Sequence, residues 1–423
     1  MKRKRSPSEW AFWTCLIVLP TILAVSCKQF NHISNEMCVL LDELGFSPVT
    51  EQDRRVIFEV QGTIIAVQGF GCAKRDSGGI VKVEQSLQIP TYANRATVFL
   101  NGWKLNYLSS DHHVGELGSL VGKIKLVDGK LTWNAVGTLG DVDGNDGHNS
   151  CYHYTVIAWS DAALNATVDH DEADSYCGSG TDIEDKLYVA DNNGTTTAFS
   201  SFSSFILNQR FPPRATVAVL PRGFGFAWRS SDRHLLQVAY NLDHSETFVE
   251  HGRQYRKAGF KRIEAPLPSP VSRVDSGYVS WETHTVFKDN DRRRDYIFGE
   301  TVSALTGGDV GIIQPPFSIL PTEDGGGLQT AQGGILTKDF VIENIPFEFA
   351  VPMLTGWDLR YELDDEHITE IGIWIEDWSY EKPFGAPAGT LRYKLSSVMR
   401  DKNSKPGHAF RHKVTMLGLR PTK

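Results

Sequence analysis

Residues 131–159 read LTWNAVGTLGDVDGNDGHNSCYHYTVIAW and residues 391–419 read LRYKLSSVMRDKNSKPGHAFRHKVTMLGL, and the two stretches align without a gap over 29 residues. The identical positions are Leu131 and Leu391, Asp141 and Asp401, Gly147 and Gly407, His148 and His408, and Thr155 and Thr415. Because a unit that recurs along a chain is the sequence signature of a repeat architecture, the alignment predicts a chain built from copies of one unit.

The repeat extends upstream and has a third, weaker copy. The pattern Gly102-Trp103-x-Leu105-x-Tyr107 recurs as Gly356-Trp357-x-Leu359-x-Tyr361. Between these copies, residues 214–217 repeat the Arg-Ala-Thr-Val of residues 95–98, and residues 230–232 repeat the Ser-Ser-Asp of residues 109–111. The predicted domains are repeat 1 over residues 50–165, repeat 2 over residues 200–308 with an insertion at 240–277, and repeat 3 over residues 335–423.

Short runs of β-branched and aromatic residues, bounded by turn residues, indicate strands throughout the chain. Such runs occupy residues 56–60, 63–67, 96–100, 152–159 and 216–220. Asp128-Gly129 stands between two alternating runs, which is a strong hairpin signal. Only residues 34–45 suggest a helix. The prediction is an antiparallel all-β fold in which each repeat is a small β-sandwich.

The first 26 residues have the features of an export signal. A basic Lys2-Arg3-Lys4-Arg5 precedes an apolar run over residues 11–25, which is too short to span a bilayer. Ala24-Val25-Ser26-Cys27 resembles the lipobox of a bacterial lipoprotein leader, with Ala where that pattern has Leu. The chain is therefore predicted to be secreted or held at the outer face of a membrane by a lipid on Cys27.

Cysteine use agrees with an oxidising compartment. Removal of the signal and lipidation of Cys27 would leave four cysteines, enough for two disulfides. Sequence proximity favours the pairs Cys38–Cys72 and Cys151–Cys177, and unpaired buried thiols are the alternative.

The net charge of −8 and the lack of a basic stripe argue against nucleic acid as a partner and against a membrane contact other than the lipid anchor.

Two recurring polar patterns are candidates for metal chemistry. Asp141, Asp143 and Asn145 place oxygen ligands at alternate positions with Gly144 between them, as in the opening of a calcium loop. The alternative is a hairpin loop rich in turn-forming residues, and Tyr152 stands where an EF-hand has its bidentate Glu.

The second pattern is an acidic residue two positions before a histidine, and it recurs in all three copies. The pairs are Asp111 and His113, Asp232 and His234, and Asp365 and His367. Such a pair could orient an imidazole for a metal or for proton transfer. A structural hydrogen-bonding role near a strand end is the favoured interpretation.

Several segments resemble an uncharacterised family of secreted bacterial and fungal proteins. They are residues 109–114 (SSDHHV), 237–246 (QVAYNLDHSE), 279–283 (VSWET), 288–291 (KDND) and 314–321 (QPPFSILP). More distantly, each repeat is similar to H-type lectin modules, which show an early strand, a charged loop, an aromatic-centred strand and a final strand that closes like residues 156–159 (VIAW) here. The first family implies no known activity, and no sugar-binding residue is carried over from the second.

The sequence therefore predicts an exported, surface-anchored binding protein that recognises carbohydrate or a cell-surface partner through the loops of repeated sandwiches. The matching aromatic positions are expected to lie mostly in the core; they are Trp103, Tyr107, Trp133, Trp159, Trp281, Trp357 and Tyr361. A secreted metal-assisted hydrolase that uses Asp/His pairs and a structural envelope protein are the alternatives. No G-x-S-x-G, phosphate-binding glycine loop or H-E-x-x-H pattern is present, which disfavours an enzyme.

Overall fold

A computed structural model describes most of the chain beyond residue 48. The described residues are 49–60, 63–109, 112–141, 146–170, 186–190, 197–207, 216–228, 233–251, 254–258, 261–265, 277–289, 296–307, 310–313, 318–319, 334–361, 366–403 and 407–421. The predicted signal 1–26, Cys27 and the predicted helix 34–45 lie outside these ranges. Within them, no helix has the length and apolar character needed to cross a membrane.

The described chain consists of strands, and each strand pairs antiparallel with its neighbours. The strands are β1 (Val49–Val60), β2 (Ile64–Arg75), β3 (Val81–Gln88), β4 (Arg95–Tyr107), β5 (Glu116–Val127), β6 (Lys130–Gly140), β7 (His148–Trp159), β8 (Ala166–His170), β9 (Lys186–Ala190), β10 (Thr197–Leu207), β11 (Thr216–Trp228), β12 (Gln237–His251), β13 (Gln254–Ala258), β14 (Lys261–Ala265), β15 (Gly277–Lys288), β16 (Tyr296–Gly307), β17 (Val310–Ile313), β18 (Ser318–Ile319), β19 (Leu336–Ile345), β20 (Phe349–Tyr361), β21 (Glu370–Glu381), β22 (Gly389–Arg400) and β23 (His408–Leu419). The predicted all-β class is confirmed. So is the hairpin between β5 and β6, whose turn residues Asp128 and Gly129 both have positive φ, 50° and 75°.

Three large sheets hold almost all of these strands. Their orders are β1-β2-β7-β4-β21-β22-β19, β17-β23-β20-β12-β15-β10-β9 with β18 beside β23, and β3-β6-β5-β11-β16-β8, while β13 and β14 form a separate pair. Each large sheet thus joins strands from two of the predicted repeats. The expectation that each repeat is a sandwich of its own is wrong in this respect, because the edge of one repeat is hydrogen-bonded to the edge of the next.

The three pairings that join the repeats, which we call joints, close into a cycle. Strand β4 of repeat 1 pairs with β21 of repeat 3, β20 of repeat 3 pairs with β12 of repeat 2, and β11 of repeat 2 pairs with β5 of repeat 1. An exposed strand edge carries unpaired N–H and C=O groups. Each joint pairs five residues of one strand with five of the other, which satisfies the backbone groups along that part of both edges.

Each joint has a glycine at one end of its paired segment. Gly102 lies opposite Trp374, Gly223 opposite Leu120 and Gly356 opposite Asn241. A Cβ on Gly102 would lie 2.2 Å from the Trp374 Cα, and one on Gly223 would lie 2.7 Å from the Leu120 Cα. No side chain fits at these two places, which explains the glycine that precedes Trp103 and the one that precedes Phe224.

The residue after each of these glycines is a buried aromatic, and the three rings meet. The ring centroids of Trp103, Phe224 and Trp357 lie 5.0, 5.1 and 4.9 Å apart in pairs. The other predicted core aromatics are also buried, namely Tyr107, Trp133, Trp159 and Tyr361. The side chain of Trp281 lies outside the described part of the structure. The core is therefore shared among the repeats instead of being divided between them.

The described disulfide is Cys72–Cys151. The predicted pairs Cys38–Cys72 and Cys151–Cys177 are therefore wrong. Strands β2 and β7 are neighbours, and their register places Cys72 directly opposite Cys151 although the two are 79 residues apart in sequence. Proximity in sequence could not reveal this pairing. Cys38 and Cys177 lie outside the described residues.

Four histidines in the two clearest copies are buried. His148, His408 and His412 have no exposed surface, and His153 is 8% exposed. Burial lowers the pKa of His148, His408 and His412 to about 4 and that of His153 to about 3, because the charged imidazolium loses its hydration. These side chains are therefore neutral in the folded protein at neutral pH.

Replacing both Cys72 and Cys151 with Ser should lower the free energy of unfolding by about 4 kcal/mol, because the crosslink closes a long loop in the unfolded chain. Urea denaturation of the wild-type and double-variant proteins measures the difference. Peptide mapping without reduction should also recover Cys72 linked to Cys151. A peptide that links Cys72 to Cys38 would contradict the described pairing.

Stability should fall as the pH drops from about 6.5 to about 4. A histidine whose pKa is lowered in the folded protein becomes protonated at a higher pH in the unfolded state. Its contribution to the free energy of unfolding is therefore complete above the unfolded pKa and is lost as the pH falls to the folded pKa. A pKa of about 4 corresponds to about 3 kcal/mol for such a histidine. Urea denaturation across this pH range tests the expectation. His408→Asn should flatten the pH dependence of the free energy of unfolding. An unchanged pH profile in that variant would count against this role of His408.

Candidate functional site

Three short segments, each a few residues after the end of β4, β11 or β20, pair with one another in a ring. They are residues 112–114, 233–235 and 366–368. Val114 pairs with Arg233, Leu235 with Glu366, and Ile368 with His112. Each pair exchanges two backbone hydrogen bonds, with N–O distances between 2.8 and 3.4 Å. The residue after the central histidine of one segment thus always pairs with the residue before the central histidine of the next.

The middle residue of each segment is one of the recurring histidines. The ring centroids of His113, His234 and His367 lie 4.6, 4.7 and 4.5 Å apart in pairs. One ring nitrogen from each lies within 4.8 Å of those of the other two, and all three side chains are half-buried. Sequence analysis singled out these histidines from their recurrence but did not predict that they converge. Their acidic neighbours Asp111, Asp232 and Asp365 lie outside the described residues.

Buried aliphatic side chains and two tyrosine hydrogen bonds fix the backbone that carries these histidines. Val114, Leu235 and Ile368 follow the histidines and are completely buried. The Tyr107 hydroxyl donates a hydrogen bond to the carbonyl oxygen of His113 at 3.1 Å, and the Tyr361 hydroxyl does the same to His367 at 3.2 Å. Since neighbouring residues of an extended segment face opposite ways, the imidazoles point away from this aliphatic layer.

The predicted calcium loop is described only in part. Asp141 lies with Asp146 and His112, and their ligand atoms are within 4.8 Å of one another. The His112 Nδ1 lies 3.1 Å from the Asp146 Oδ2. Asp143 and Asn145 lie outside the described residues, so the calcium set of Asp141, Asp143 and Asn145 stays a prediction. His112 was missed as a neighbour of this loop because it is brought there from a different strand connection.

A cavity of about 440 Å³ lies on the outer face of the β4–β21 joint, lined by β1, β2, β4, β7, β21 and β22. Aromatic rings form part of its wall. The rings of His153 and Trp374 stack with centroids 5.7 Å apart and planes 19° apart, and Phe70 lies 4.7 Å from His153. Lys104 Nζ lies 5.7 Å from the Trp374 ring centroid, within the range of a cation–π contact.

Charged and amide groups surround these rings. Arg55 and Asp377 form an ion pair that links β1 to β21 across the cavity. The Gln68 amide donates hydrogen bonds to the carbonyl oxygens of Ile375 and Glu376, at 3.3 and 3.0 Å. Lys394 also lines the cavity. The site therefore combines a largely buried aromatic wall with hydrogen-bond donors and acceptors.

The cavity depends on residues that differ among the three joints. The position opposite the joint glycine is Trp374 here and is Leu120 and Asn241 at the other two. Lys413 replaces His153 in the aligned stretch of repeat 3. Sequence analysis missed Trp374, His153 and Phe70, because they belong to no motif and their proximity arises only from the pairing of distant strands.

The resemblances to secreted proteins of bacteria and fungi and to H-type lectin modules stay predictions. The chain matches no protein-family model, and no curated protein matches it significantly.

Proposed function

We propose that this protein is an exported, surface-anchored protein that binds carbohydrate in the cavity at the β4–β21 joint. The observation that carries the proposal is the stacked pair of Trp374 and His153 in a cavity of about 440 Å³. Small-molecule sites commonly measure about 300–1,000 Å³ and combine aromatic walls with a few polar groups. A cavity of this size accommodates one or two sugar rings.

Carbohydrate fits the chemistry of this cavity better than a purely apolar ligand does. A pyranose ring presents a flat C–H face, which packs on an aromatic ring, and hydroxyl groups at its edge. Trp374 and His153 are only 7% and 8% exposed, so the partly exposed ring of Phe70 completes the aromatic wall that a sugar would contact. Lys104, Lys394 and Glu376 provide donors and acceptors for hydroxyls. Burial keeps the pKa of His153 low, at about 3, so its ring is neutral when it stacks.

Export and anchoring rest on the N-terminal sequence and on the disulfide. Residues 1–26 would be removed, and a lipid on Cys27 would hold the binding domain at the outer face of a membrane. The Cys72–Cys151 disulfide supports an oxidising compartment.

A metal-assisted hydrolase is the second candidate function. The observation that favours it is the approach of His112 to Asp141 and Asp146, since imidazole and carboxylate groups both bind divalent metal ions. A hydrolase would cleave a bound sugar, whereas a binding protein would release it unchanged, and this difference distinguishes the two functions.

Trp374→Leu should weaken sugar binding about tenfold or more, because the stacking surface is lost. A glycan array probed with the wild-type protein identifies the tightest disaccharide, and isothermal titration then compares the variants. Lys394→Gln, a change at the rim, should also weaken binding without disturbing the joint. Phe384→Ala is the matched control, because Phe384 is an exposed aromatic outside the cavity.

Two results would contradict the carbohydrate proposal. One is wild-type protein that binds no glycan on the array above background. The other is a loss of binding in Phe384→Ala with full binding in both cavity variants, which would move the site to the β21–β22 turn.

Protein purified from its expressing cells should begin at Cys27 and carry an added lipid mass, because the signal segment would be cleaved before the lipidated cysteine. Intact-mass spectrometry of the membrane and soluble fractions measures both features. Cys27→Ser should move the protein out of the membrane fraction. A mature chain that retains residues 1–26 would rule out this route of anchoring.

A further inference from the structure

The geometry points to a binding site for one divalent transition-metal ion, of which Zn²⁺ is the type, formed by His113, His234 and His367 where the three repeats meet. This inference is independent of the carbohydrate proposal, because its residues lie outside the 440 Å³ cavity. The three ligands come from three different connections of the chain. No single repeat contains the site.

The spacing of the three ring nitrogens suits a small cation. A point at the centre of a triangle with edges of 4.8 Å lies about 2.8 Å from each corner, and a Zn–N bond is about 2.0–2.1 Å. Side-chain rotations that move each nitrogen inward by less than about 1 Å therefore complete the contact. The rings meet edge to face, at 66°, 66° and 79°, so each can direct a nitrogen toward the common centre.

The protein holds the three ligands in place before any ion binds. Six backbone hydrogen bonds tie residues 112–114, 233–235 and 366–368 into a ring. The Tyr107 and Tyr361 hydroxyls hold the His113 and His367 carbonyls. A ligand set built on such a fixed backbone loses little conformational entropy on binding.

The donor set selects the class of ion. Neutral imidazole nitrogen suits Zn²⁺, Cu²⁺, Ni²⁺ and Co²⁺, whereas Ca²⁺ and Mg²⁺ require oxygen. Val114, Leu235 and Ile368 fill the inner side of the histidine cluster and supply no ligand atom. Three histidines on one side leave a fourth tetrahedral position on the outer side, which water or an incoming ligand would occupy.

An ion at this point would tie all three repeats together. Because the ion binds the folded ring and not the separated segments, it should raise the melting temperature in proportion to the logarithm of its concentration. The oxygen-rich cluster of His112, Asp141 and Asp146 lies nearby and provides a built-in comparison, because His112 is the sequence neighbour of His113.

The test uses the full-length mature protein after treatment with EDTA and dialysis. Isothermal titration with Zn²⁺ should give a single equivalent per chain, and Co²⁺ should give the visible absorption bands of a site with nitrogen ligands. Zn²⁺ should raise the melting temperature. Ca²⁺ should not raise it by binding to the three histidines. X-ray absorption of the zinc-loaded wild-type protein should show three imidazole ligands.

Single variants His113→Gln, His234→Gln and His367→Gln should each reduce Zn²⁺ affinity by more than the roughly 10- to 100-fold loss typical of a partner that only orients a ligand. Phe384→Ala is the control, because this exposed residue belongs to neither group of possible metal ligands, and it should keep wild-type affinity. Melting in EDTA shows whether each variant is folded.

Three results would overturn the inference. They are the absence of Zn²⁺ binding to the wild-type protein, fewer than three imidazole ligands in the absorption spectrum, and a loss of binding in His112→Gln while the three cluster variants bind normally. The last result would assign the metal to the cluster with Asp141 and Asp146. The absorption measurement needs no variant, so a misfolded variant would not leave the question open.

Discussion

The structure depends on the close approach of backbones where one repeat ends and the next begins. At each joint a strand edge that would otherwise face water is paired with a strand from another part of the chain. Gly102 and Gly223 allow this approach, because a Cβ at either position would overlap the backbone opposite. The shared aromatic core, the cavity beside Trp374 and the ring of histidines all follow from these pairings.

The two clearest copies keep the same framework but adjust it locally. His148 and His408 occupy equivalent positions and are both fully buried. In repeat 3, His408 Nε2 lies 3.1 Å from the Ser397 hydroxyl. In repeat 1, Gly137 takes the place of Ser397, and the hydroxyl of Ser150 fills its space, since a Cβ on Gly137 would lie 1.7 Å from that oxygen. Compensation of this kind lets one framework carry different surfaces, as Leu120, Asn241 and Trp374 do at the joints.

Local patterns in the sequence predicted local structure well. The Asp128-Gly129 turn, the alternating strands and the buried aromatics follow from chemistry that acts over a few residues. Strand pairing between repeats involves edges that lie far apart in sequence, and no short pattern encodes it. The same limit explains the disulfide, since Cys72 and Cys151 meet only because β2 lies beside β7. Recurrence singled out His113, His234 and His367, whereas Trp374 and His153 share a cavity through pairing alone.

The cyclic order of the joints has a consequence for how such a chain can change in evolution. A linear array of domains can gain or lose a unit at either end, because each unit closes its own core. Here the removal of one repeat would open two joints and leave two complementary strand edges facing solvent. Head-to-tail pairing of such edges between molecules closes into a ring or extends into an open polymer. Because the three joints close into a cycle, none of the three predicted repeats is a terminal unit that could be lost without opening the others.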